Sequence, residues 1–239
     1  MDPAGRPREI SSDQDGRPLR RSFHDELDQL RLQVEVMGAK VDQNLERMIC
    51  VLQTGDADAA EDALASDDAI DAMNVSLTER CYDLLARENP VASELRFLVS
   101  VLRMLSELER IGDLTLRVVK LNPERPLWAG HEETYELLVA MGDLSVSAYR
   151  DAMQAWSAQD PSDRLAIELV DAVRSMDRHD ERLMDEILQL DGPTAVRVAT
   201  TTLIAGRSLG RIADHSAIIG ARLRYLLTGD PEHLTEEVR

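Results

Sequence analysis

Two carboxylates stand one helical turn apart in the phrase ELERIGD at residues 107–113: Glu109 and Asp113. Asp67 and Asp71 repeat the spacing earlier in the chain. At i and i+4 both side chains of a pair lie on one face of a helix, where like charges repel and burial is costly without a counter-charge. If the two helices are antiparallel neighbours, the four carboxylates converge on a bound cation. An all-oxygen set without Cys or His favours a hard divalent or ferric ion, Mg²⁺, Mn²⁺, Ca²⁺ or Fe, with Zn²⁺ a further candidate. The other compensator is arginine, and Arg96, Arg103, Arg110 and Arg117 are close in sequence.

A near-copy, SLGRIAD, occupies residues 208–214. A shift of 101 residues sets Arg96 on Arg197, Glu109 on Gly210, Arg110 on Arg211 and Asp113 on Asp214. Gly210 removes one carboxylate, so Asp214 is a weak ligand candidate in the second half. Asp177 with Glu181 forms an i, i+4 pair without a firm register to Asp67 and Asp71. His215 reads as a hydrogen-bonded or surface histidine before it reads as a ligand. His24 and His179 read as solvent-facing or locally paired. The chain has no HExxH, CxxC, phosphate-loop or G-x-S-x-G motif, and no Glu-x-x-His as di-iron enzymes use.

The elements that must position these groups are helices. Leu27, Leu30, Val34, Met37, Val41, Leu45, Met48 and Leu52 recur every three or four residues, a helical stripe stopped by TGD at 54–56. Further helices are expected over 57–88 and from 91–93 to 121, ended by ENP and NPERP. The scheme then repeats over 131–158, 162–189 and 194–228. On the third helix Leu98, Leu102, Leu105 and Leu116 share an arc with Glu109 and Asp113. On the second, Leu64, Cys81 and Leu85 share an arc with Asp67 and Asp71. The expectation is an all-α fold of six long helices in two tandem three-helix bundles, at 21–122 and 129–229. Residues 1–20, rich in Pro, Gly and charge, read as a disordered arm, and 230–239 as a tail.

Composition limits the function classes. Two phenylalanines, two tryptophans and four tyrosines leave packing to aliphatic residues. The net charge of −18 disfavours nucleic acid and anionic membranes, and no dense basic run offsets it. No apolar run has the length of a bilayer span, and no signal-peptide core begins the sequence. Cys50 and Cys81 read as reduced cysteines of a cytosolic protein.

These phrases resemble one family. RSFHDELDQLRLQVEVMGAKVDQNL is similar to the opening helix of PhoU proteins. NPVASELRFLVSVLRMLSELERIGDL resembles their strongest signature, with LGRIADHSAIIGARL its second copy, so that the resemblance spans about 20–229. It implies the duplicated three-helix fold and a cytoplasmic, non-enzymatic, often dimeric negative regulator of phosphate uptake. Such regulators link the phosphate ABC transporter to the sensor histidine kinase of the starvation response. It also implies multinuclear metal binding through Glu/Asp-x-x-x-Asp pairs, here Glu109–Asp113 with Asp67–Asp71. Two other readings stand beside it: a carboxylate-bridged metalloprotein or metalloenzyme, and a purely structural helical protein.

Overall fold

The computed structural model describes residues 16–159 and 163–238. Helix α1 spans Gly16–Thr54, α2 Ala57–Arg87, α3 Ala92–Val119, the single turn α4 Arg125–Trp128, α5 Glu132–Ala158, α6 Asp163–Leu188 and α7 Ala195–Thr228. Short 3-10 turns lie at Asn122–Glu124 and Pro231–Val238. Six of these helices are long and no strand occurs among the described residues, as the apolar spacing predicts.

Local chemistry sets the ends. Gly55, at φ +78°, and Gly229, at φ +74°, take the left-handed conformation that closes α1 and α7. Asp56 caps α2, its carboxylate accepting from the backbone of Asp58 at 2.9 Å and Ala59 at 3.1 Å. The Glu94 carboxylate accepts from Val91 N at 2.8 Å and closes the first turn of α3. Residues 16–20, read from sequence as part of a disordered arm, are helical instead. Pro18 lies in the first turn, where the missing N–H has no helical partner to lose. Residues 1–15 of that arm lie outside the described residues. Within the expected tail, the 3-10 turn Pro231–Val238 packs on α7.

All eight stripe residues of α1 from Leu27 to Leu52 are buried. Helix α2 packs on α1 and α3, α6 on α5 and α7, while α3 meets α7 and α1 meets α5. The inner helices α1, α3, α7 and α5 therefore form a closed four-helix bundle, with α2 and α6 outside it. One broad face of the molecule runs α2–α3–α7–α6 and the other α2–α1–α5–α6. The two three-helix units share one continuous apolar core rather than two separate ones.

The α3–α7 packing is antiparallel. The Arg96 guanidinium lies over Gly229, Glu107 meets His215, and Glu124 meets Arg197 at 2.6 Å. On the other side Tyr149 Oη donates to Gly38 O at 2.7 Å and Arg150 bridges Asp42 and Glu46, tying α5 to α1. A cleft of about 450 Å³ beside this bridge is lined by Glu46, Ile49, Asp143, Val146, Ser147 and Asp151. It holds no Cys or His and lies on the face away from the α3–α7 seam.

Candidate functional site

Packing of α2 on α3 brings the two sequence pairs together. Burial chiefly, then the charges of Asp113, Asp71 and Asp67, push the Glu109 carboxyl above its ordinary range, against the pull of Arg110. Asp67 is raised in the same way, by burial and then by Asp71 and Asp113, with Lys120 opposing. Each pair thus feels the other across the helix interface. Asp67 and Glu109 are half-buried, whereas Asp71 and Asp113 are exposed, so the cluster sits at the mouth of the α2–α3 groove. Leu64, which shares the arc of Asp67 and Asp71 on α2, is 42% exposed, whereas Cys81, farther along the same arc, is buried in the core.

The donor set is oxygen-only and mutually repelling, which fits a hard cation in chemistry and charge. Among the described residues no three of His, Cys, Asp and Glu surround one point closely enough to hold an ion. The carboxylates are neighbours across a groove, and a closed coordination sphere would need side-chain rotation. Gly112, beside Asp113, is not demanded by close packing, since an added Cβ would meet only Ile70 Cγ2 at 3.9 Å. Ala213 takes its place in the second half without cost.

The second half differs at two positions, not one. Buried Ala63, Ile70 and Leu77 of α2 correspond to buried Leu169, Met176 and Leu183 of α6. That register sets Asp71 on Asp177 and Asp67 on Val173. With Gly210 in the place of Glu109, only Asp177 and Asp214 are left. Asp214 is raised by burial first; His215 pulls it down, Asp177 pushes it up, and Arg211 and Arg207 also lower it. Glu181 is not among the groups acting on Asp214.

One functional-looking contact was not visible in the sequence. His215 is buried and its Nδ1 lies 2.6 Å from Glu107 Oε2 across the α3–α7 interface. Its Nε2 is 3.4 Å from Arg211 Nη2. A guanidinium can only donate, so Nε2 accepts and Nδ1–H donates to Glu107. The histidine is a hydrogen-bonded one, as expected, but its partner comes from the other half of the chain. His179 bonds Ser175 O at 2.7 Å, and exposed His24 lies 3.4 Å from Glu94. Cys50 and Cys81 are unbridged, and burial pushes the Cys81 thiol up to about 12.

No helix among the described residues is long and apolar enough to cross a membrane. The PhoU domain matches residues 34–121 and 138–223, one copy in each half. The phosphate-specific transport system accessory protein PhoU of Edwardsiella tarda is 27% identical over 209 residues, covering 87% of this chain and 85% of the relative. PhoU homolog 1 of Thermotoga maritima is 29% identical over 214 residues, covering 87% and 89%. The crystal structure of PhoU from Pseudomonas aeruginosa superposes with a TM-score of 0.79 at 27% identity, covering 87% of this chain and all of that one. That of the phosphate transport system regulatory protein PhoU from Streptococcus pneumoniae gives 0.72 at 27%, covering 87% and 98%. With the family domain matched twice and the fold shared along nearly the whole of its relatives, the chain belongs to the PhoU family.

Proposed function

We propose that this chain is a cytoplasmic, non-catalytic negative regulator of phosphate uptake and of the phosphate-starvation response. It acts as an adaptor between the ATPase of a phosphate ABC transporter and a phosphate-sensing histidine kinase, and it works as a homodimer. The observation that carries the reading is the match over 87% of the chain to phosphate transport accessory and regulatory proteins, with both copies of the domain in order. An adaptor of this kind acts by binding one state of its partner better than another, which shifts the population of that state. Deleting the gene tests it. Uptake of labelled phosphate and expression of starvation genes should become constitutive in phosphate-rich medium, and unchanged regulation would sink the proposal.

A second reading is favoured by one specific observation, the mutual repulsion of Asp67, Asp71, Glu109 and Asp113 across the α2–α3 groove. These four would hold a divalent or ferric cation, Mg²⁺, Mn²⁺, Zn²⁺ or Fe. The ion would neutralise the cluster and fix α2 against α3. Elemental analysis of protein purified without chelator should find an ion that is lost when Glu109 and Asp113 are both changed to alanine. Equal metal content in the two proteins would reject the site and leave the adaptor reading intact.

A further inference from the structure

Charge is segregated across the α2–α3–α7–α6 face. The outer helices are acidic, α2 with eight carboxylates against two arginines and α6 with eight against four. Helix α7 is the reverse, with five arginines and a single carboxylate, Asp214. The acidic groups on the outward side of α3 and α7 each feel carboxylates of the neighbouring outer helix, Glu109 those of Asp71 and Asp67 on α2, and Asp214 that of Asp177 on α6, as well as the seam arginines Arg110 and Arg211.

The antiparallel register fixed by Glu124 and Arg197, which the Glu107–His215 bond matches to within one residue, then sets three rungs along the seam: Arg103 opposite Ile218, Arg110 opposite Arg211, and Arg117 opposite Ile204. The central rung pairs the two residues that correspond between the halves. Arg110, Arg117 and Arg211 are exposed, and neither Arg110 nor Arg117 makes an ion pair among the described residues. Arg211 is held in place from below, since its guanidinium donates to His215, which is itself fixed by buried Glu107. Successive rungs are seven residues apart, about 10.5 Å along a helix. Each outer rung puts an arginine beside a partly exposed isoleucine.

We infer that the α3–α7 seam is a docking surface for one acidic amphipathic helix of a partner protein, with carboxylates recurring about every seventh residue beside apolar side chains. Width selects this occupant. A helix is about 10–12 Å across and rests in the groove between two helices whose axes are about 8–10 Å apart, touching only α3 and α7. A nucleic-acid duplex or an anionic bilayer is broader. It would also meet α2 and α6, whose carboxylates lie within about one Debye length, roughly 8 Å in physiological salt. The inference names the chemistry of one partner and in that sense rests on the adaptor reading.

The test uses the full chain and, as probe, a helical peptide of about 21 residues with glutamate at every seventh position and leucine beside each. Fluorescence anisotropy should show saturable binding that weakens about tenfold or more when Arg110 and Arg211 are both changed to glutamate. The milder change of both to glutamine should give an intermediate loss, and Arg174→Glu on the outer helix α6 should leave binding unchanged. Matching circular dichroism and melting temperature would establish that the variants fold. Equal peptide binding by wild type and the double variant would overturn the inference. So would tighter binding to duplex DNA or phosphatidylglycerol vesicles than to the peptide, or loss of self-association in the double variant, which would make a second copy the occupant. In cells lacking the gene, the Arg110→Glu/Arg211→Glu protein should fail to restore phosphate regulation, and full restoration would also overturn it. If the deletion itself has no effect, the adaptor reading fails, and the binding measurements alone decide the seam.

Discussion

Glu107 and His215, more than a hundred residues apart in sequence, share a buried 2.6 Å hydrogen bond that crosses from the first half of the chain to the second. The rung related to it by the internal repeat carries Leu114 and Ser208 instead. Ser208 satisfies its hydroxyl within its own helix, donating to Ile204 O at 2.8 Å. One rung of the interface is therefore polar and directional, and its counterpart is apolar. The polar rung fixes which residues meet across the seam, and removing one partner leaves a buried group unpaired.

That asymmetry sets the first expectation. Glu107→Leu should lower unfolding stability by about 1–3 kcal/mol, because the His215 Nδ1–H is left buried without an acceptor. His215→Leu should cost a similar amount. The double substitution should cost clearly less than the two single effects together, since neither unpaired group remains. Urea unfolding of the four proteins gives the cycle, and strict additivity would show that the bond contributes nothing of its own.

The helices were legible in the sequence because period and burial are the same information. A stripe such as Leu27 to Leu52 can be apolar at that spacing only if it faces a core, and every member does. The meeting of Asp67 and Asp71 with Glu109 and Asp113 was legible for a related reason: antiparallel neighbours joined by a short link leave little freedom of register. The Glu107–His215 bond and the arginine seam were not legible. Both depend on how α3 and α7, joined by no short link, settle against each other, and nothing local in either helix records that choice. Val173 was missed for the same reason. Its correspondence with Asp67 appears only once buried Met176 is matched to buried Ile70.

The raised carboxyls at the α2–α3 groove give a pH dependence of unusual sign. Asp67 and Glu109 bind protons more tightly folded than unfolded. What they contribute to stability is therefore complete below the unfolded values, about 3.9 and 4.3, and is lost as pH rises through the higher folded ones. At pH 7 Glu109→Gln should stabilise the metal-free protein by a few tenths of a kcal/mol, the usual size of an i, i+4 like-charge repulsion. The gain should vanish near pH 3, where both proteins are neutral at this position. Thermal unfolding of both proteins across pH 3–8 measures it, and a Glu109→Gln protein less stable at pH 7 would contradict the repulsion.

Two glycines one turn apart on α7 should respond to alanine with opposite sign. At Gly206 a Cβ would come within 2.5 Å of Leu183 Cδ2, a buried methyl, so overpacking of about 1–3 kcal/mol should exceed the roughly 1 kcal/mol that alanine gains in a helix. At Gly210 the nearest atom is Met176 Cγ at 3.8 Å, an ordinary contact, and the gain of about 1 kcal/mol should appear almost whole. Chemical denaturation of the two variants checks both signs. Destabilisation by Gly210→Ala would mean that this position needs its glycine for something other than space.

The same open space at Gly210 allows the lost carboxylates to be restored. Val173→Asp with Gly210→Glu would place two new acids beside Asp177 and Asp214, reproducing in the second half the residue types of the first. Four like charges in one groove repel, so without divalent cations the double variant should melt below wild type. Any ion that binds the folded state and not the unfolded one must raise the melting temperature, and by more the further its concentration exceeds Kd. Mn²⁺ should therefore rescue this variant more strongly than it stabilises wild type, and elemental analysis should find additional bound metal. The graft should also keep binding metal when Glu109 and Asp113 are alanine, because the two grooves lie on opposite sides of the α3–α7 pair. A graft that destabilises equally with and without Mn²⁺ would show that these residue types at this spacing are not sufficient for an ion site, and the cluster in the first half would lose its main chemical support.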